Sequence, residues 1–227
     1  MRIVLIRHAQ PEWAPGGRAT TVPDLSELGR EQAALLPGHP LVGERITDLW
    51  VSPMPRAQQT AEPIIDALDA PPRTHDFLAE IGNPPEWEGQ PQEYIEQVFR
   101  DLIDRPVEGW WDGFPGGESF RQFHRRVHDG FEAALGEIGV HRSSLHPELW
   151  EEELPDRTLC VVAHQGTNAL LLGLLLDLEV VPWEWERFAC AHASVSLVST
   201  AQVGRGRAFS LRAFSDVAHL GDGMLTR

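Results

Sequence analysis

An arginine and a histidine stand together at Arg7-His8, another arginine at Arg56, and a second histidine at His164. A guanidinium is a planar fork of donors that matches phosphate or carboxylate oxygens. A neutral imidazole carries a nucleophilic nitrogen. Singly, each residue has a plain structural reading; Arg7-His8 alone reads as the polar cap of an apolar strand. Gathered in one pocket they would repel, because buried like charges cost free energy unless something neutralises them. A dianionic phosphoryl group between them removes that cost. The chemistry expected is the handling of a phosphate ester.

The elements that must position these residues are short and apolar. Arg7-His8 follows the run Ile3-Val4-Leu5-Ile6, Arg56 comes shortly after Asp48-Leu49-Trp50-Val51, and His164 follows Thr158-Leu159-Cys160-Val161-Val162-Ala163. Such runs read as buried strands of a parallel sheet, whose carboxyl ends are where ligands bind. Between them the sequence predicts a helix over 27–36 capped by Ser26, and a helix toward Leu68 with Ser52 as cap and Pro53 as first residue. A short third strand is expected over 74–78. Residues 79–117 form a loop-rich, lid-like elaboration holding one helix, with Tyr94, Ile95, Val98, Phe99, Leu102 and Ile103 at helical spacing. A long helix follows, from Phe120 to Ile138. Residues 139–157 read as a surface insertion whose glutamates at 151–153 face solvent. A leucine-rich helix begins after His164, and strands over 194–200 and 208–214 close the chain. The fold class expected is α/β: a three-layer α/β/α sandwich with a mostly parallel central sheet, one domain over residues 1–227.

Composition narrows the partners. The 227 residues carry 34 acidic and 19 basic side chains, a formal charge of −15. No basic stripe interrupts this, so nucleic acid is not an expected partner. The apolar stretch at 169–176 ends at Asp177, short of a membrane span. No signal-like segment is visible, and a cytoplasmic protein is expected. Cys160 and Cys190 lie in apolar surroundings and read as core thiols.

Several ordered motifs resemble one family. They are Arg7-His8-Ala9, then Leu25-Ser26-Glu27-Leu28-Gly29 to Gln32-Ala33, then Ser52-Pro53-Met54-Pro55-Arg56-Ala57-Gln58-Gln59-Thr60-Ala61. Glu80 through Trp87-Glu88-Gly89, Gly116-Gly117-Glu118-Ser119, Ala163-His164-Gln165-Gly166, Ala193-Ser194-Val195-Ser196 and Ala218-His219-Leu220 continue the series. Together they resemble the histidine phosphatase superfamily, the phosphoglycerate mutase-like group. The resemblance implies that His8 is a nucleophile passing through a phosphohistidine. It implies that Arg7, Arg56 and His164 bind the phosphoryl oxygens, with Gln10 and Gln165 as further substrate-binding residues. Glu80 matches the family's general acid and base; Gln165 stands where another branch has an aspartate. No metal and no cofactor are implied, and the partner expected is a small-molecule phosphate ester.

The sequence also departs from the family pattern. Ala9 replaces a usual glycine, Pro11 a common threonine or asparagine, and Ala14 an asparagine that contacts phosphate. Gln165 stands in place of a common glycine. Two alternatives to hydrolysis follow: phosphoglycerate mutase-type transfer, and a low-activity phosphate-ester-binding or regulatory domain. Family mutases carry extra basic residues after the acidic glutamate, whereas Ile81-Gly82-Asn83-Pro84-Pro85 has none. Glu88 and Glu118 read as structural, bonding loop amides or buttressing arginines. Gln59 and Thr60 are expected to face helix neighbours, and His39, His75, His141 and His146 to lie on the surface. His192 and His219 are candidates for the pocket rim. His124 and His128 have a zinc-compatible i, i+4 spacing without a third ligand in view. Trp87, Trp110 and Trp111 read equally as an apolar lid or as packing.

Overall fold

The computed structural model describes residues 1–43, 46–68, 71–154 and 156–227. Among the described residues, eight strands form one sheet in the order β3-β2-β6-β1-β7-β8-β5-β4. They are β1 (Arg2–Arg7), β2 (Asp48–Val51), β3 (Pro72–Thr74), β4 (Val140–Arg142), β5 (Trp150–Glu152), β6 (Thr158–Ala163), β7 (Val195–Val203) and β8 (Gly206–Asp216). The helices are α1 (Glu27–Leu35), α2 (Pro55–Leu68), α3 (Gln92–Ile103), α4 (Phe120–Glu137), α5 (Gln165–Leu175) and α6 (Glu184–Arg187). Among the described residues no helix is long and apolar enough to cross a membrane.

The alternation of β1 divides the core. Ile3 and Leu5 point to one face, where α4 and α5 bring Phe120, Phe123, Val127, Phe131, Leu171 and Leu172. Val4 and Ile6 point to the other, against Ala33 of α1 and Ala57, Ala61 and Ile64 of α2. Both faces are therefore apolar, which is why β1 and β6 read as continuous hydrophobic runs. Each large side chain buried this way contributes roughly 1.5–3 kcal/mol. Ser26 caps α1 as expected, its hydroxyl accepting the Gly29 N–H, and Ser119 and Gln122 form a capping box on α4.

Four expectations need correction. The sheet is mixed rather than mostly parallel: β3, β2, β6 and β1 run parallel, whereas β7, β8, β5 and β4 join antiparallel. Residues 74–78 do not form a strand; β3 ends at Thr74 and a 3-10 turn spans Asp76–Leu78. Segment 139–157 supplies β4 and β5 to the sheet edge, with Trp150 buried. Its Glu152 carboxylate is nearly inaccessible and pairs with Arg207. Finally, α2 starts at Pro55, so Pro53 is not its first residue and Ser52 is freed for another task.

Candidate active site

Strand order alone assembles the first part of the site. β1, β6 and β2 are adjacent and parallel, with Arg7 opposite Ala163 and Val51 opposite Val162. The next residue on each strand is then His8, His164 and Ser52. Backbone bonds lock them there: the His8 N–H donates to the Ala163 carbonyl at 2.9 Å and the Ser52 N–H to the Val162 carbonyl at 3.0 Å. β7 runs the other way, so the segment leading into it arrives at the same end. Ala193 N–H donates to the His8 carbonyl at 3.2 Å. Ala193 holds φ of +54°, a strained conformation for a residue with a Cβ, and it sets the path of His192.

His8 is almost fully buried. Its Nδ1 lies 2.8 Å from the Ala9 carbonyl, so Nδ1 carries the hydrogen and donates it. Nε2 keeps its lone pair, toward which the Arg56 Nε–H points at 3.3 Å. Burial first, then His164, Arg56 and Arg7, push the His8 pKa well below its ordinary 6.5. The ring is thus neutral, in the tautomer a nucleophile needs. Ala9 is completely buried and its N–H is held by the Thr60 hydroxyl at 3.0 Å.

The cations surround that ring. Arg56 is buried, its pKa lowered by burial to about 10, and it stays charged at neutral pH. The exposed indole of Trp13 covers its guanidinium at 5.0 Å. Arg7 donates through Nη1 to the Cys190 carbonyl and through Nη2 to His192 Nε2. His164 stacks at a tilt on His8, centroids 5.1 Å apart, and burial and the two arginines keep it neutral. Among the described residues, Arg7 Nε, Arg56 Nη1 and His164 Nδ1 are buried without a protein partner. Each such orphan costs about 1–3 kcal/mol. Three such donors in one cluster are chemically matched to the oxygens of an anion.

Ser52 is the partner of His164 Nε2. Its hydroxyl oxygen accepts the Met54 N–H at 3.3 Å and lies 2.7 Å from His164 Nε2. With the hydroxyl proton donated to Nε2, the ring hydrogen sits on Nδ1, free for an anion oxygen. Ser52→Ala removes that partner. The expected result is a loss in kcat/KM of up to about tenfold, the worth of one neutral hydrogen bond, with thermal stability little changed. Steady-state kinetics beside a melting curve checks it.

Glu80 is held over the site by main-chain donors, the Gly166 N–H at 2.8 Å and the Ile81 N–H at 3.1 Å. A Cβ at Gly166 would lie 2.5 Å from Glu80 Oε1, so that approach requires glycine. Burial raises the Glu80 pKa above its ordinary 4.5, opposed by those amides and by Arg56 and Arg7. Arg126 fixes the carrying loop by donating to the carbonyls of Asp76, Phe77, Ala79 and Glu80. Glu118 pairs with Arg126 at 2.7 Å and accepts the Gly82 N–H, the buttressing expected of it. Glu88 likewise bonds a loop amide, that of Thr21.

The structure therefore brings Arg7, His8, Arg56, Glu80 and His164 together. Gln10 and Gln165 have other partners: Gln10 Oε1 accepts from Ser26, and Gln165 Nε2 donates to the Trp185 carbonyl. Gly29 is what lets the Gln10 backbone lie against α1, since a Cβ there would sit 2.0 Å from the Gln10 carbonyl oxygen. Gln59 reaches the 24–25 loop rather than a helix neighbour. His39 is buried, its Nε2 3.5 Å from Asp216, and His219 packs on it. His128 gives Nε2–H to the Leu170 carbonyl. Trp87 is buried against Phe99 and Phe114 as lid packing. Ser52, Trp13, Arg126 and the precise place of His192 were not singled out by the sequence as site residues. For Ser52 and Trp13, their nearness in sequence to Arg56 and His8 was the available signal.

Residues 3–208 match the family model of the histidine phosphatase superfamily (branch 1). Phosphoserine phosphatase 1 of Hydrogenobacter thermophilus is 31% identical over 206 residues, covering 87% of this chain and 86% of that one. The mycobacterial glucosyl-3-phosphoglycerate phosphatase, solved with VO3, superposes with a TM-score of 0.68 at 26% identity, over 94% of this chain and 98% of that one. The alpha-ribazole phosphatase of Shigella flexneri gives a TM-score of 0.70 at 23% identity, over 96% and 97%, a likeness of fold.

Proposed function

This chain belongs to the histidine phosphatase superfamily (branch 1), and from that premise we propose that it is a metal-independent phosphatase hydrolysing a small organic phosphate monoester through a phosphohistidine on His8. One observation carries the reading: a neutral His8 with Nε2 unprotonated, ringed by buried cationic and N–H donors that lack protein partners.

The steps follow from that arrangement. The Nε2 lone pair attacks phosphorus while the bond to the ester oxygen breaks. Arg7, Arg56 and His164 hold the equatorial oxygens, where charge spreads. Glu80, protonated, gives its proton to the leaving oxygen. Water then attacks the phosphohistidine, Glu80 takes the water's proton, and the phosphorus–nitrogen electrons return to Nε2. The Ala9 carbonyl, accepting from Nδ1–H, stabilises the positive charge on the phosphorylated ring. The two arginines supply the positive charge that a metal ion would otherwise provide.

Hydrolysis is favoured over mutase-type transfer because no cation follows Glu80 in 81–85 to grip a second acidic group. The test is turnover of p-nitrophenyl phosphate and a panel of natural esters, phosphoserine among them, with chelator present. The expected result is chelator-insensitive release, with an acid-labile, base-stable phosphoryl label on the peptide carrying His8. Release abolished by chelator, or a label elsewhere, overturns the reading. Phosphate binding without turnover across the panel supports the binding-domain alternative.

A further inference from the structure

The segment ending the chain turns alternate residues inward. Leu225 is 54% exposed, whereas Met224 and Thr226 are half-buried. Two buried side chains receive them. Gln32, fully buried in α1, donates Nε2–H to the Met224 carbonyl at 2.6 Å and to Thr226 Oγ1 at 3.0 Å. Its other end accepts the Gln10 N–H at 2.8 Å, so the same amide ties the segment to the loop after His8. His192 donates its backbone N–H to the Thr226 carbonyl at 3.1 Å, and its Nδ1 lies 3.0 Å from Thr226 Oγ1.

The hydrogens in this network can be assigned. Arginine only donates, so His192 Nε2, 2.9 Å from Arg7 Nη2, must be the acceptor. His192 is neutral, burial and then Arg7 and Arg56 holding its pKa down near 3. Its one ring hydrogen is therefore on Nδ1 and is donated to Thr226 Oγ1. That oxygen takes two hydrogen bonds, one from Gln32 and one from His192, which uses both its lone pairs. In the opposite tautomer, Nε2–H would face the Arg7 N–H and push the guanidinium off its seat. Arg7 Nε, free of protein partners, would then no longer be aimed into the site.

We propose that Thr226 is a positioning residue for Arg7, its hydroxyl oxygen accepting the His192 Nδ1–H and so holding in place the ring whose Nε2 receives the guanidinium. The proposal rests on the reading of Arg7 as a phosphoryl-binding group. Thr226→Val keeps shape and volume but deletes the acceptor, whereas Thr226→Ser keeps it. A small misplacement of a catalytic group costs up to about a hundredfold. The expected result for Thr226→Val is a loss in kcat/KM of about tenfold to a hundredfold, with weaker inhibition by inorganic phosphate and a similar melting temperature. Thr226→Ser should restore both kinetic readouts. Nitrogen-15 NMR of the intact protein should show His192 protonated at Nδ1, and Thr226→Val should shift the Nδ1 signal as its hydrogen-bond acceptor is lost.

Three outcomes overturn the proposal: kinetics of Thr226→Val equal to the intact protein, equal losses in the Val and Ser variants, or His192 protonated at Nε2 in the intact protein. The NMR assignment needs no variant, so a misfolded Thr226→Val still leaves a decision. Full turnover in His8→Ala would sink the reading of the site instead, and the tautomer result would stand apart from it.

Discussion

His8→Ala is expected to lower kcat by on the order of 10⁴–10⁶, the scale seen when a nucleophile is deleted, while inorganic phosphate still binds. The two halves of that result separate two roles. The nucleophile is one nitrogen, His8 Nε2, and no neighbour replaces it: His164 Nε2 is occupied by the Ser52 hydroxyl, and His192 Nε2 is taken by Arg7. The phosphoryl-binding donors belong to other residues and survive the change. Arg56 Nε loses its partner in the variant, which adds one more donor for an anion. Calorimetry with inorganic phosphate, beside turnover with chelator present, reads both halves. Residual activity above about a tenth would mean that covalent catalysis at His8 is not the route. Loss of phosphate binding together with turnover would mean that His8 organises the site rather than reacting in it.

The parts of this site that were legible in the sequence are those whose position follows from local pattern. Ile3–Ile6, Leu49–Val51 and Leu159–Ala163 are apolar on both faces, so their strands and the polar residues after them were readable from one chain. What escaped depends on long-range pairing. Nothing in residues 195–203 announces that this strand runs antiparallel to β1, yet that direction delivers Cys190 and His192 to Arg7. Glu152 sits in a run of acidic residues that reads as solvated, and only the pairing of β5 with β8 brings Arg207 beside it. Residues 74–78 have strand-like composition, but the chain turns at Asp76 and Arg126 collects the exposed carbonyls. Ser52-Pro53 has the form of a helix start; a second proline, Pro55, moves the start onward and leaves Ser52 to His164. The family resemblance supplied Glu80, which no local pattern marks as more than a loop carboxylate. Of the departures from the family pattern, Ala9 and Pro11 are both buried, and Thr60 holds the Ala9 amide.

Glu80→Gln is expected to reduce turnover of alkyl phosphates by about 10²–10⁴, the usual worth of a positioned acid and base, and to spare part of the reaction with p-nitrophenyl phosphate. The difference follows from proton demand. An alkoxide leaves only if it is protonated, whereas p-nitrophenolate is stable as it departs. Glutamine keeps one acceptor oxygen, enough for the Gly166 amide, but gives up the second, which the Ile81 amide uses. With p-nitrophenyl phosphate the variant should still phosphorylate His8 but hydrolyse the intermediate slowly, because no base takes the water's proton. The signature is a burst of one p-nitrophenolate per site followed by slow release; with an alkyl ester both steps fail and no burst appears. The pH profile supplies the second check. Burial raises the Glu80 pKa above 4.5, so the protonated acid persists to higher pH than an ordinary carboxyl and is lost as pH rises through the raised value. A bound phosphate dianion beside it extends that range further upward. In the intact protein, kcat for an alkyl ester should therefore fall on the alkaline side of the Glu80 titration, and in Glu80→Gln that limb should vanish. If the two esters lose equally and the alkaline limb stays, Glu80 holds the loop and another group moves the proton.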